Sequence, residues 1–214
     1  MKIAELYEMQ KALDARIIEQ KGLQGVDLLP NTVLALQVEI AELANEWRGF
    51  KHWSKNQEPR ISAKNECSVC EGSGDYNWPA SVDFLLEGQE GLEYEKCDEC
   101  DGTGELEPRN PLLEEYADCL HFFLSIARQL DLPEKVLFVP DDFEPKETTK
   151  LFVELLYYVG LILLEPENDR IINFRFALST FYALGDKFGF SYDQITAAYV
   201  AKNKANYDRL ATGY

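Results

Sequence analysis

The chain has 214 residues, 46% apolar and 12% aromatic, enough for one sizeable core with a small second module and too apolar for a disordered chain. A formal charge of −17 and a pI near 4.5 repel a phosphate backbone, which disfavours nucleic acid as a partner. No stretch offers the roughly 20 uninterrupted apolar residues of a membrane span, because LFVELLYYVGLILL carries Glu154 and ends at Glu165-Pro166. The opening segment MKIAELYEMQKALDARI has acids inside its apolar pattern, so no secretory signal is expected and the cytoplasm is the expected compartment. Of five cysteines, four form two C-x-x-C pairs, a spacing that in a reducing compartment suggests a metal site before disulfides.

Apolar residues recur at intervals of three and four through most of the chain, which predicts an all-α protein. A first helix is expected from about Ile3 to Ile18, with Ile3, Leu6, Met9, Leu13 and Ile17 on one side, ending before KGLQGVDLLP. A second is expected from about Thr32 to Phe50. From Ser54 to Arg109 glycine, proline, cysteine and acids dominate and the helical period disappears, so residues 54–109 read as an insert between 1–53 and 110–214. Helical pattern resumes at Asn110-Pro111, a favourable cap followed by proline in the first turn, and runs to about Leu130. Three more helices are expected, over about Thr148 to Leu164, Asp169 to Phe188 and Tyr192 to Ala211, the last opened by a Ser191–Gln194 capping box.

On the second helix Glu39, Glu42 and Glu46 form a stripe flanking the apolar arc of Val33, Leu36, Ile40, Ala44 and Trp47. Taken alone, such a stripe reads as a solvated border. In NPLLEEYADCLHFFLSIARQL, however, apolar residues nearly encircle the helix, which predicts burial for the neighbourhood of Glu115 and Asp118. Buried carboxylates each cost several kcal/mol without a partner, so this pair either ligates a divalent cation or belongs to structural ion pairs. Two helices carrying acids at i and i+3 would make an all-oxygen cage, the donor set that suits Mg²⁺ with substrate phosphates and water. The last helix places Lys202, Asn206 and Arg209 on one face with Tyr199 and Asn203 beside them, either a phosphate clamp or an ordinary polar face.

Glu39-Ile-Ala-Glu42, Glu115-Tyr-Ala-Asp118 with its continuation Cys-Leu-His121-Phe-Phe-Leu-Ser125, and Tyr199 to Tyr214 together resemble the motifs of the dimeric dUTPases, all-α nucleoside triphosphate pyrophosphohydrolases of the MazG type. The resemblance covers most of 1–53 and 110–214, and excising residues 60–107 brings the Glu42–Glu115 separation closer to the helix–loop–helix spacing expected there. It implies a helical bundle and a homodimer that hydrolyses dUTP, and dUDP as a further candidate, to dUMP. It also implies Mg²⁺ held by Glu39, Glu42, Glu115 and Asp118, with water as nucleophile. Glu46 is a candidate to orient or deprotonate that water. By the same resemblance Lys202, Asn203, Asn206, Arg209 and Tyr214 would contact phosphate, sugar or base, and Gln10 and Asp14 lie in the segment that recognises the base. Asp14 stands where an amide such as Asn is expected, and a carboxylate accepts but does not donate, which keeps dCTP or a broader nucleotide range as an alternative. Trp53 is a candidate to stack on the base or to serve as a core or hinge aromatic.

The insert repeats C-x-x-C-x-G-x-G at Cys67-Ser-Val-Cys70 and Cys97-Asp-Glu-Cys100, and each repeat looks like a zinc knuckle similar to the cysteine-rich repeats of DnaJ-type chaperones. Four thiolates from Cys67, Cys70, Cys97 and Cys100 would close a structural Zn²⁺ shell, with a redox dithiol as the competing reading. Such a module also keeps open a non-catalytic zinc-ribbon adaptor. Cys119 reads as a small core residue.

Overall fold

The computed structural model describes residues 2–138 and 146–213, which hold helices and no strand. The helices are α1 (Ile3–Gln20), α2 (Leu29–Trp47), α3 (Trp78–Leu86), α4 (Pro111–Gln129), α5 (Thr148–Leu164), α6 (Arg170–Phe188) and α7 (Tyr192–Thr212), with short 3-10 turns at Glu134–Leu137 and Glu167–Asp169. The chain divides into two compact units, Met1–Pro59 with Leu112–Tyr214, and Arg60–Pro111. No helix among the described residues is long and apolar enough to cross a membrane.

Local chemistry sets the helix ends. Helix α2 starts three residues earlier than its apolar period predicts, because Pro30 in the first turn is already set to a helical φ and Asp27 Oδ1 accepts the Leu29 N–H at 3.1 Å. It stops at Arg48, which takes a left-handed φ of 65° and donates from its guanidinium to the Asn56 carbonyl at 2.8 and 3.1 Å. Helix α7 opens on the expected capping box: Ser191 Oγ accepts from the Gln194 N–H at 3.2 Å, and Gln194 Oε1 accepts from the Ser191 N–H at 2.9 Å.

In the first unit α4 supplies much of the core. Tyr116, Cys119, Leu120, Phe123, Leu124, Ile126 and Ala127 are all buried, as the nearly encircling apolar pattern predicts, and Cys119 is indeed a core residue. Leu36, Ile40 and Leu43 of α2, Leu155, Val159 and Ile162 of α5, and Phe174, Leu178 and Phe181 of α6 complete the same cluster. Helix α5 packs on α6 and α2, and α1 lies along α7. The Tyr116 ring stacks on Phe181 with centroids 4.1 Å apart, and its hydroxyl donates to the Phe181 carbonyl at 3.3 Å. Gly185 lets α6 approach this pair, since a Cβ there would overlap the Tyr116 hydroxyl.

The second unit is built around two turns related by the repeat. Gly72 N–H donates to Cys67 O at 3.0 Å and Gly102 N–H to Cys97 O at 2.9 Å. The two turns then lock together, with Cys67 N–H donating to Gly104 O and Cys97 N–H to Gly74 O, each at 3.0 Å. Gly74 and Gly104 hold φ of 78° and 77°, and a Cβ on either would overlap the carbonyl of Gly102 or Gly72, so the backbones approach this closely only with glycine. Helix α3 lies inside the stretch where no helix is expected. At nine residues, with Ser81 its one buried residue, it is too short to print a period on the sequence.

Gly185→Ala tests the packing of α6 on α4. Its helix propensity alone gains up to about 1 kcal/mol, but overpacking against a fully buried tyrosine costs about 1–3 kcal/mol. A net loss of stability is expected in urea unfolding, and an unchanged or raised midpoint would contradict this packing.

Candidate functional site

Helices α2 and α4 bring their acids together across the first unit. One carboxylate oxygen each from Glu39, Glu42 and Glu115 lie within 4.8 Å of one another, an arrangement that could hold a metal ion. Asp118, one turn along α4 from Glu115, is buried, and its Oδ2 accepts from Lys202 Nζ of α7. The two readings left open for this pair thus both find a counterpart: Glu115 joins the acidic cluster while Asp118 is in an ion pair. Among the described residues Glu115 Oε2 and Asp118 Oδ1 are buried without a hydrogen-bond partner, as is Asn203 Nδ2. Such orphaned oxygens mark a place where the protein itself supplies too little positive charge.

The electrostatics agree. Burial, then the charges of Asp118 and Glu42, pushes the Glu39 carboxyl up to about 7. Burial, then Asp118, Glu39 and Glu42, pushes Glu115 up to about 7 as well. Burial raises Asp118 too, against the opposing pull of Lys202 and Arg209. Glu46 lies half-buried one turn beyond Glu42 on α2.

A cavity of about 420 Å³ opens beside these acids, lined from α1, α2, α4 and α7. Glu39, Asp118, Lys202, Asn206 and Arg209 line one part of it, and Leu13, Ile17, Leu28 and Phe122 give it apolar walls. Between them runs a buried polar network. Gln10 Nε2 donates to Asp14 Oδ1 at 2.8 Å, and Asp14 Oδ2 accepts from Ser125 Oγ at 2.7 Å and Arg128 Nε at 2.6 Å. Gln10 Oε1 lies 2.8 Å from the Tyr199 hydroxyl and 2.7 Å from His121 Nδ1. The His121 ring stacks on Tyr199 at 3.8 Å with its Nε2 3.2 Å from the Tyr199 carbonyl, and burial pushes its pKa down to about 4.

A family model described as dUTPase matches residues 2–68 and 103–214. The chain belongs to the all-α dUTPase family. It is accordingly a dUTP diphosphatase, of a family that acts on deoxyuridine nucleotides and typically needs a divalent metal. No curated protein matches the chain. The family match stops short of residues 69–102, which lie within the second unit and include α3.

In this dUTPase the structure gathers Gln10, Asp14, Glu39, Asp118, Lys202, Asn206 and Arg209 around one cavity, with Glu42 and Glu115 in the acidic cluster beside it. Asn203 is buried one residue from Lys202. Trp53 is placed differently: it is 68% exposed, edge-on to Phe50 and His52, and does not line the cavity. Tyr214 lies outside the described residues. Neither Arg128 nor the roles of His121 and Ser125 stand out in the sequence alone. Their signal is the spacing 115, 118, 121, 125, 128, a polar stripe at intervals of three and four along a helix whose middle is otherwise apolar.

The four cysteines of the second unit cluster as the repeat predicts and are reduced and buried. Cys67 Sγ lies 3.8 Å from Cys97 Sγ, and Cys70 Sγ 3.7 Å from Cys100 Sγ. These are far beyond the roughly 2.05 Å of a disulfide and match the edge of about 3.8 Å that a tetrahedron of metal–sulfur bonds near 2.3 Å requires. Gly74 and Gly104 each aim an N–H at the Sγ of Cys70 and Cys100 at 3.2 Å, so the cluster could bind zinc.

The raised carboxyls set a pH dependence. Glu39 and Glu115 ionise near 4.5 when unfolded and near 7 when folded, so the metal-free fold holds extra protons in that interval and loses stability as pH rises through it. A divalent cation must displace those protons, so its apparent affinity should climb from pH 5 to pH 8, with proton release measurable by calorimetry in buffers of different ionisation enthalpy. In Glu115→Gln both trends should weaken; an unchanged pH profile would contradict the assignment.

Proposed function

We propose that the enzyme is a Mg²⁺-dependent pyrophosphohydrolase that converts dUTP to dUMP and pyrophosphate, with Glu39, Glu42, Glu115 and Asp118 holding the metal. The observation that supports this reading most directly is the acidic cluster, whose crowded, partly orphaned carboxylate oxygens fit a hard cation. When bound, the ion neutralises phosphoryl oxygens and acidifies the attacking water. The chain's own residues do the rest. Lys202 and Arg209, on the cavity wall beside Asp118, bind the triphosphate, and Asn203 and Asn206 orient phosphate or sugar. Glu46, next along α2, orients the water. The apolar walls from Leu13, Ile17, Leu28 and Phe122 receive a flat pyrimidine.

Two further properties belong to the same reading. The cysteine cluster holds structural Zn²⁺, since four thiolates leave no open ligand position, and its reduced state suits the cytoplasm. The enzyme works as a homodimer, supported by the exposed apolar side chains of Leu34 and Val38 on α2, Val153 and Tyr157 on α5, and Ile172 and Phe176 on α6. Sedimentation equilibrium should give twice the chain mass, and a purely monomeric species at micromolar concentration would remove this element.

The test of activity is direct. Purified enzyme incubated with dUTP, dUDP, dCTP, dTTP and dATP, with and without Mg²⁺, should release dUMP and pyrophosphate from dUTP only when Mg²⁺ is present. Glu39→Gln or Glu115→Gln should lower kcat by about 10²-fold or more. Dominant dCTP turnover would shift the substrate, and full activity without any divalent cation would refute the metal assignment.

A further inference from the structure

The polar network on the cavity wall carries an assignment beyond the family motifs. Gln10 reaches the cavity, but its amide oxygen is engaged by the Tyr199 hydroxyl and His121, and its nitrogen donates to Asp14. Asp14 is the hub: three donors, from Gln10, Ser125 and Arg128, converge on one buried carboxylate. With so many donors Asp14 is unsuited to reading a base. It orients its neighbours instead.

Arg128 is what it presents. The guanidinium uses Nε on Asp14 and, among the described residues, its two terminal NH₂ groups take no protein partner. Its side chain is 25% exposed and lines the cavity with the apolar walls. The adjacent carboxylate cancels its net charge and its neighbours in the cavity wall are apolar, so this arginine suits a neutral carbonyl better than a triphosphate, while Lys202 and Arg209 line the same cavity as Glu39 and Asp118. A guanidinium donates and never accepts. Uracil and cytosine differ at the adjacent positions N3 and C4: uracil presents an N–H donor and a carbonyl acceptor, cytosine a ring-nitrogen acceptor and an amino donor, so a donor-only group aimed at C4 pairs with the uracil carbonyl and meets an unfavourable donor in cytosine.

We propose that Arg128, held in place by Asp14, reads the 4-carbonyl of the base and so selects uracil over cytosine; the inference rests on the dUTP-hydrolysing reading above. It resolves the departure at position 14, where a carboxylate replaces the expected amide, because the lost donor is supplied from α4 by Arg128. Asp14 is then a positioning residue and Arg128 a specificity-determining one.

The experiment measures kcat/KM for dUTP, dCTP and the 2-pyrimidinone deoxynucleoside triphosphate that lacks any substituent at C4, using wild type, Arg128→Met, Arg128→Lys and Asp14→Asn, with thermal unfolding of each. In Arg128→Met the value for dUTP should fall about tenfold or more, while dCTP and the C4-unsubstituted analogue change by no more than about threefold. Arg128→Lys keeps a cation opposite Asp14 and should retain the fold with intermediate selectivity. Asp14→Asn should narrow the dUTP/dCTP ratio mainly through KM. An equal loss for all three substrates, in the lysine variant as in the methionine one, would show a structural role and overturn this inference alone. A wild type that turns over dUTP no better than dCTP would overturn it as well, and one inert toward every nucleotide would overturn it together with the function it rests on.

Discussion

Carboxylates drawn out of water toward one another repel strongly: two unit charges 4 Å apart interact by about 4 kcal/mol at the effective dielectric near a protein surface. One carboxylate oxygen each of Glu39, Glu42 and Glu115 lie within 4.8 Å of one another, and Asp118 adds to the repulsion felt by both Glu39 and Glu115. Lys202 answers the charge of Asp118, yet Glu39 and Glu115 still resist ionisation up to about neutral pH. A bundle that keeps such a cluster gives up stability unless a cation joins it. The cavity, the basic side chains of α7 and the polar network of α1 and α4 all make sense as surroundings for that cation and an anionic substrate.

Helix α4 connects the core to this chemistry. Tyr116, Leu120, Phe123 and Ile126 tie it into the bundle, and the stacking of Tyr116 on Phe181 over Gly185 sets how closely α6 lies beside it. The same helix carries the stripe Glu115, Asp118, His121, Ser125 and Arg128. Residues near its start meet the acids of α2, and those near its end meet Asp14 of α1. A single rigid helix therefore fixes the distance between the proposed metal end and the proposed base end. The cysteine unit solves a different problem in its own way, since a module that buries so few apolar side chains besides its cysteines is held instead by four sulfurs and two glycines that permit close backbone contact.

Much of this was legible in the sequence because helices print their faces at intervals of three and four. The six long helices and the pairs Glu39/Glu42 and Glu115/Asp118 could be read that way, and the cysteine cluster from its repeated C-x-x-C-x-G-x-G. Helix α3 could not, being nine residues with one buried position. Nor could the Asp14–Arg128 pair, whose partners are 114 positions apart and meet only through the packing of α1 on α4. Sequence pattern shows that a polar stripe exists and not which stripe it faces. Trp53 illustrates the converse limit: an aromatic after an acidic helix fits base stacking as well as a core or hinge role, and only the structure shows that the ring is exposed beside Phe50 and His52 and outside the core.

The most direct test of the central claim is to locate the cation. Crystals grown with Mn²⁺ and a non-hydrolysable α,β-imido analogue of dUTP should show anomalous density bounded by Glu39, Glu42, Glu115 and Asp118, with Lys202 turned to the phosphates. Absence of a metal there, or density confined to the four cysteines, would contradict the account.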